Sequence, residues 1–138
     1  MNNNPIFIGT PKVQAALSTT STGRDGLTGT YTILYTPGPD GSRIERVTAM
    51  VATPGTASTA KAVRLYIKDI SGTASTLYLY REALLPASTP TGTVVGSNVT
   101  FNFNGGLCLG SQSQLLGGQS TGNTTNDSLS FITEGGDF

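Results

Sequence analysis

Histidine and tryptophan are missing from this chain, and cysteine occurs once. Without histidine, the side chain that titrates nearest neutral pH is lacking. Neither a Ser–His–Asp nor a Cys–His arrangement can be assembled from this chain alone. The single cysteine, Cys108, excludes an intrachain disulfide scaffold, and a zinc site would have to combine it with carboxylates. Cys108 lies in Leu107-Cys108-Leu109 with no basic residue close in sequence. That setting predicts a small buried apolar side chain rather than an activated thiolate.

Charge is scarce too. Eight Lys+Arg face eight Asp+Glu, giving 12% charged residues in 138 and a formal net charge of zero. The usual share is about 25%. No clustered positive surplus exists to neutralise phosphates, so nucleic acid is not expected as a partner. No apolar run approaches the roughly 18 residues of a membrane span, so no membrane is expected either. The start, MNNNPIFIG, lacks the basic residues and long apolar stretch of a signal peptide. There is no phosphate-binding G-x-x-x-x-G-K-[ST] motif, and the glycines fall in scattered breaks. No cofactor, catalytic residue or metal ligand is therefore expected, and the chain reads as a non-enzyme. The one local cluster of oxygen donors, Asn123, Asn126 and Asp127, reads as a polar turn.

What is abundant is small and polar: 22 Thr, 13 Ser and 18 Gly. Leu, Ile, Val and Phe still total 32 residues, above the roughly 20% floor below which chains stay unfolded. A neutral protein lacks the self-repulsion that keeps copies apart, which leans towards life in an assembly.

The apolar residues recur with period two. Val99, Phe101 and Phe103 alternate with Asn98, Thr100, Asn102 and Asn104, so one face of a strand is apolar and the other small and polar. Val63, Leu65 and Ile67 face inward in the same way, leaving Arg64, Tyr66 and Lys68 outside. In residues 76–82, Leu77 and Leu79 are expected inside, with Tyr78 and Tyr80 outside. Leu129 and Phe131 point inward near the end. Residues 30–36 and 42–53 flank Pro37-Gly38-Pro39-Asp40-Gly41, a turn signal that reads as a hairpin or close connection. Ile44 and Val47 cannot share a face unless a bulge intervenes. Breaks are expected at Gly105-Gly106 and Gly117-Gly118, and Leu115-Leu116 reads as one short strand. The best helix candidate, residues 11–17, is short. About eight short antiparallel strands at this spacing predict an all-β fold, a jelly-roll-like β-sandwich. Residues 1–138 read as a single domain, with residues 1–10 as an N-terminal docking arm.

Candidate contact residues come from the strand faces and the chain ends. Tyr66, Tyr78 and Tyr80, with Arg64 and Arg81 nearby, are the residue types enriched at interface hot spots. Ile6, Phe7 and Ile8 form an apolar run at the start, and Phe138 closes the chain.

Four segments carry a resemblance: Asn4-Pro5-Ile6-Phe7-Ile8-Gly9-Thr10-Pro11-Lys12-Val13, Gly41-Ser42-Arg43-Ile44-Glu45-Arg46-Val47, Val63-Arg64-Leu65-Tyr66-Ile67-Lys68-Asp69 and Glu134-Gly135-Gly136-Asp137-Phe138. They resemble small all-β structural proteins of tailed bacteriophages. The resemblance implies a virion protein assembled in the bacterial cytoplasm. Its implied role is a capsid decoration (auxiliary head) protein that binds the major capsid protein lattice, or other virion proteins, and reinforces the shell. It also implies a homo-oligomer, with a trimer favoured. A neck, tail or baseplate component is the alternative, and a carbohydrate-binding module is a second.

The strand pattern makes Phe101 and Phe103 core residues. Phe101→Ala or Phe103→Ala should each cost about 3–5 kcal/mol in chemical denaturation, and a loss below about 1 kcal/mol would place that side chain on the wrong face.

Overall fold

A computed structural model describes residues 9–19, 21–52, 57–72, 76–120 and 128–138. These residues form eight strands: β1 (Thr10–Ser18), β2 (Thr32–Tyr35), β3 (Ser42–Val51), β4 (Lys61–Asp69), β5 (Thr76–Leu85), β6 (Asn98–Leu109), β7 (Ser113–Gln119) and β8 (Leu129–Asp137). The order is β1-β8-β3-β6 in one antiparallel sheet and β2-β7-β4-β5 in the other. The pairings are nested: β4 with β5, β3 with β6, β2 with β7 and β1 with β8. The chain thus behaves as one long hairpin centred on the β4–β5 connection. Its successive pairs alternate between the two sheets, as in a jelly-roll-like sandwich.

The core lies between the sheets. Ile44, Val47, Ala49, Phe101, Phe103, Leu129 and Phe131 project from one side, and Leu34, Val63, Leu65, Leu85 and Leu115 from the other. Each fully buried side chain of this size contributes about 1.5–3 kcal/mol. Ile44 and Val47 are both inward because Glu45 is an extra residue relative to β8, while on the other side residues 103–106 of β6 lie opposite it. The bulge expected from their spacing is therefore present.

Several local expectations change. Residues 11–17 are not helical but lie in β1, where Lys12, Gln14 and Ala16 alternate with exposed Val13, Ala15 and Leu17. A seven-residue window fits either period, and pairing along the whole of β8 selects the strand. The Pro37–Gly41 turn does not close a hairpin; it carries the chain from β2 in one sheet to β3 in the other. Gly105-Gly106 does not end a strand either. Both glycines have positive φ (81° and 82°). They let residues 103–106 bulge out while β6 continues to Leu109. Gly117 and Gly118 sit within β7, where added Cβ atoms would meet the side chains of Leu34 and Thr22. Cys108 is exposed rather than buried, because pairing after the bulge resumes with Cys108 opposite Arg43 on the outer face.

The first and last strands are tied in by one carboxylate. Asp137 Oδ1 accepts hydrogen bonds from Ser42 Oγ (2.5 Å), Tyr35 Oη (3.0 Å) and Gly38 N (3.3 Å). Lys12 Nζ lies 3.4 Å from Oδ2 and donates to Thr36 O at 3.2 Å. The Asp137 backbone oxygen accepts from Gly9 N, and Phe138 N donates to Gly41 O. The Ser42 hydroxyl, then Tyr35 and the Lys12 ammonium, hold the Asp137 carboxyl below its usual range against the opposing effect of burial. Burial, with the carboxylate alongside, pushes the Tyr35 phenol up to about 12.

A carboxyl with a lowered folded pKa stabilises the fold above its unfolded pKa, and that contribution disappears as pH falls through the folded value. Asp137→Asn should cost about 1–3 kcal/mol at pH 7. Denaturation of both proteins as pH falls below the ordinary value of 3.8 should show the difference shrinking. A pH-independent difference would mean that Asp137 acts through packing alone.

Candidate interaction surface

β4 and β5 carry most of the candidate contact residues, and a bulge decides where they point. Leu65 pairs with Arg81 and Tyr66 with Leu79, so Tyr80 is the extra residue on β5. Residues directly opposed in an antiparallel pair share a face. Tyr78 opposes Ile67, which packs on the core, whereas Leu77 and Leu79 oppose Lys68 and Tyr66. The expected inward Leu77 and Leu79 are therefore on the outer face, and Tyr78 is on the inner one. Tyr78 nevertheless remains 61% exposed, since β5 is an edge strand.

Tyr66, expected as an exposed contact residue, is fully buried. It does point away from the core, but residues 22–29 fold over it. Its hydroxyl donates to Gly23 O (2.7 Å) and shares a hydrogen bond with Thr22 Oγ1 (3.1 Å). The Tyr31 ring meets it edge-on at 4.8 Å, and the Tyr31 hydroxyl donates to Thr28 O at 3.0 Å. Arg64 also serves this loop. Its Nη1 donates to Thr22 O (2.6 Å) and its Nε to Glu82 Oε2 (2.7 Å). Asp25 shapes the tip by accepting from Leu27 N, Thr28 N and Thr28 Oγ1. Those bonds, the backbone ones first, lower its pKa to about 2. Gly26 is required at φ +71°, where a Cβ would also press on Leu77. The loop is a built lid over apolar sheet surface, and nothing in the Thr/Ser/Gly-rich sequence marks it as one.

Tyr80 and Arg81 form a second group. The Tyr80 ring stacks near Phe103 with centroids 6.1 Å apart. The Arg81 guanidinium lies over both rings, 5.4 Å from Tyr80 and 4.9 Å from Phe103. Its Nη1 donates to Asn102 O at 2.9 Å, tying β5 to β6 across the sandwich margin. Tyr80 and Arg81 remain exposed, so this is an aromatic–arginine platform at an edge strand. On the outer side of β6, the residue 103–106 bulge opens a cleft of about 600 Å³ lined by Glu45, Arg46, Asn102, Asn104 and Glu134, among others. Glu45 pairs with Arg43 at 2.7 Å and Glu134 pairs with Arg46. Both carboxylates are thus matched by arginines. The cleft was hidden in the sequence because Gly105-Gly106 looks like an ordinary turn.

The chain ends are distributed differently. Phe138 is half-buried and held to the turn by its bond to Gly41. Ile6, Phe7 and Ile8 lie outside the described residues, as do Asn123, Asn126 and Asp127. Gly9 and Thr10, the last residues of the expected arm, belong to the β1–β8 pairing. Among the described residues, no group of three or more His, Cys, Asp or Glu could hold a metal ion.

Tyr66→Phe should remove the hydroxyl that fastens the loop and cost about 1 kcal/mol. Amide exchange at Leu27 and Thr28 should accelerate while the rates in β7 hold. Unchanged exchange in the loop would show that Asp25 and Arg64 maintain it without the Tyr66 hydroxyl. Compared with known proteins, the chain matches no family model and no curated relative.

Proposed function

We propose that this protein is a structural component of a tailed-phage particle, bound in many copies to the head as a capsid decoration protein. The observation that carries this reading is the Tyr80–Arg81–Phe103 platform. It exposes an aromatic ring and a guanidinium fixed by stacking and by the bond to Asn102, so little side-chain freedom is lost on docking. The resemblance to small phage structural proteins and the low surface charge support the same reading. One such platform would bind weakly, but repetition over a capsid lattice raises the total through multivalency. A position in the neck, tail or baseplate would use the same platform in fewer copies.

A carbohydrate-binding role is the second reading, favoured by the exposure of Tyr78 and Tyr80. Binding of the double variant Tyr80→Ala, Arg81→Ala to decoration-free shells should fall at least about tenfold at a temperature where circular dichroism shows the variant still folded. Undiminished shell occupancy would overturn the docking role. Retained shell binding together with glycan binding lost in Tyr78→Ala would favour the second reading.

A further inference from the structure

We propose that β1 is a detachable strap, which leaves and rejoins the sandwich as one unit while the other seven strands stay folded. Four strands lie at sheet edges: β1, β6, β2 and β5. Three of them are anchored in the apolar core, β2 by Leu34 and Tyr35, β5 by Leu85, and β6 by Phe101, Phe103 and Leu109. β1 supplies no fully buried apolar side chain, and only its Ala16 packs partly against the core. Its larger apolar residues, Val13 and Leu17, are exposed on the outer face. Burial of apolar surface is the main force that holds an element to a fold, so the strand that supplies least of it opens most easily.

The inner side of this strand pair works against its attachment. Ser18 lies beside Leu129, and Gln14 beside Thr133. Ser18 and Thr133 are buried, yet Ser18 Oγ and Thr133 Oγ1 have no hydrogen-bond partner among the described residues. A buried hydroxyl without a partner has given up its water and received no bond in return. When β1 lifts, Ser18 leaves with it, and Thr133 is left on a β8 that has become the edge of its sheet. Both hydroxyls then regain water, so opening relieves a cost that closure imposes.

What holds the strap is polar. The backbone ladder to β8 runs through nine pairs. Beyond it, Lys12 Nζ reaches Thr36 O (3.2 Å), Asp137 Oδ2 (3.4 Å) and the Tyr35 ring (4.9 Å to the centroid). The Gln14 amide, turned so that both its ends are satisfied, donates to Leu34 O at 3.0 Å and accepts from Lys12 Nζ at 3.1 Å. Together these contacts latch the first half of β1 onto β2 and β8. Water can replace each of them, which it cannot do for packed apolar side chains. The loop that follows β1 is fastened separately, by the bonds of Tyr66 and Arg64 to Thr22 and Gly23. Release of β1 therefore stops short of the lid. The device belongs to the fold and does not depend on a virion role.

The test is native-state hydrogen exchange of the full chain in increasing guanidinium chloride. The β1 amides bonded to β8 should be at least about tenfold less protected than those joining β3 to β6. Their exchange should also depend less steeply on denaturant, because local opening exposes less surface than unfolding. Two variants, each checked by circular dichroism to be folded, should move β1 in opposite directions. Thr133→Val removes an unpartnered hydroxyl and should slow β1 exchange at least about fivefold, whereas Lys12→Met removes the latch and should speed it at least about fivefold. Equal protection and equal denaturant dependence in β1 and in the β3–β6 pair would show that the sandwich opens only as a whole, and would overturn the proposal. So would β1 exchange that Thr133→Val fails to slow or that Lys12→Met fails to speed.

Discussion

Asp137 sits where five segments of the fold meet, and its carboxylate makes them one body. β8 supplies it one residue from the end of the chain. β1 brings Lys12, β2 brings Tyr35, the following turn brings Gly38, and β3 brings Ser42. Tyr35 comes from the opposite sheet and Gly38 from the turn that joins the two, so the carboxylate links sheet to sheet. In a chain with so few charges, each one placed at a junction matters more. The partly enclosed position strengthens the hydrogen bonds, and it also makes them costly to leave unmade.

The nested topology explains why a clamp is needed at that point. The β1–β8 pairing joins the first and last strands, so it closes the longest loop of the four nested pairs. Long closures come at the highest entropic cost and form late. β1 buries few large side chains of its own, since Lys12, Gln14 and Ala16 face inward. Its attachment therefore relies on the ladder to β8 and on the Lys12 contacts with Asp137 and Thr36. The same arrangement leaves Val13 and Leu17 on the outside.

The two sheets solve the problem of their outer faces differently. The β2-β7-β4-β5 sheet carries Tyr66, Leu77, Leu79 and Leu116 on its outer side, and the loop of residues 22–29 covers part of it, held by hydrogen bonds to Thr22 and Gly23. The β1-β8-β3-β6 sheet has no such cover among the described residues and presents Ala, Thr, Asn and aliphatic side chains in rows. A lid on one side and an ordered bare face on the other make the molecule two-sided. That suits a protein which acts by contact. The edge platform of Tyr80 and Arg81 adds a third, smaller surface between them.

Much of this was legible in the sequence. Period-two runs in residues 61–69 and 98–104 specify strands because alternation across a pleat leaves no other economical burial. The same rule shows that Ile44 and Val47 need a bulge. The number of strands and the sandwich class follow from such runs and the breaks between them. The sequence could not reveal which face of β5 turns inward, because one extra residue at Tyr80 inverts every side chain before it. Nor could it show that Tyr66 lies beneath a loop, or that Gly105-Gly106 and Gly117-Gly118 lie inside strands. Each of these depends on which distant strand pairs alongside and on what packs over the sheet. Local composition determined that the chain folds into strands with small polar outer positions; long-range register decided which residues meet, because a shift of one residue moves a side chain from core to surface.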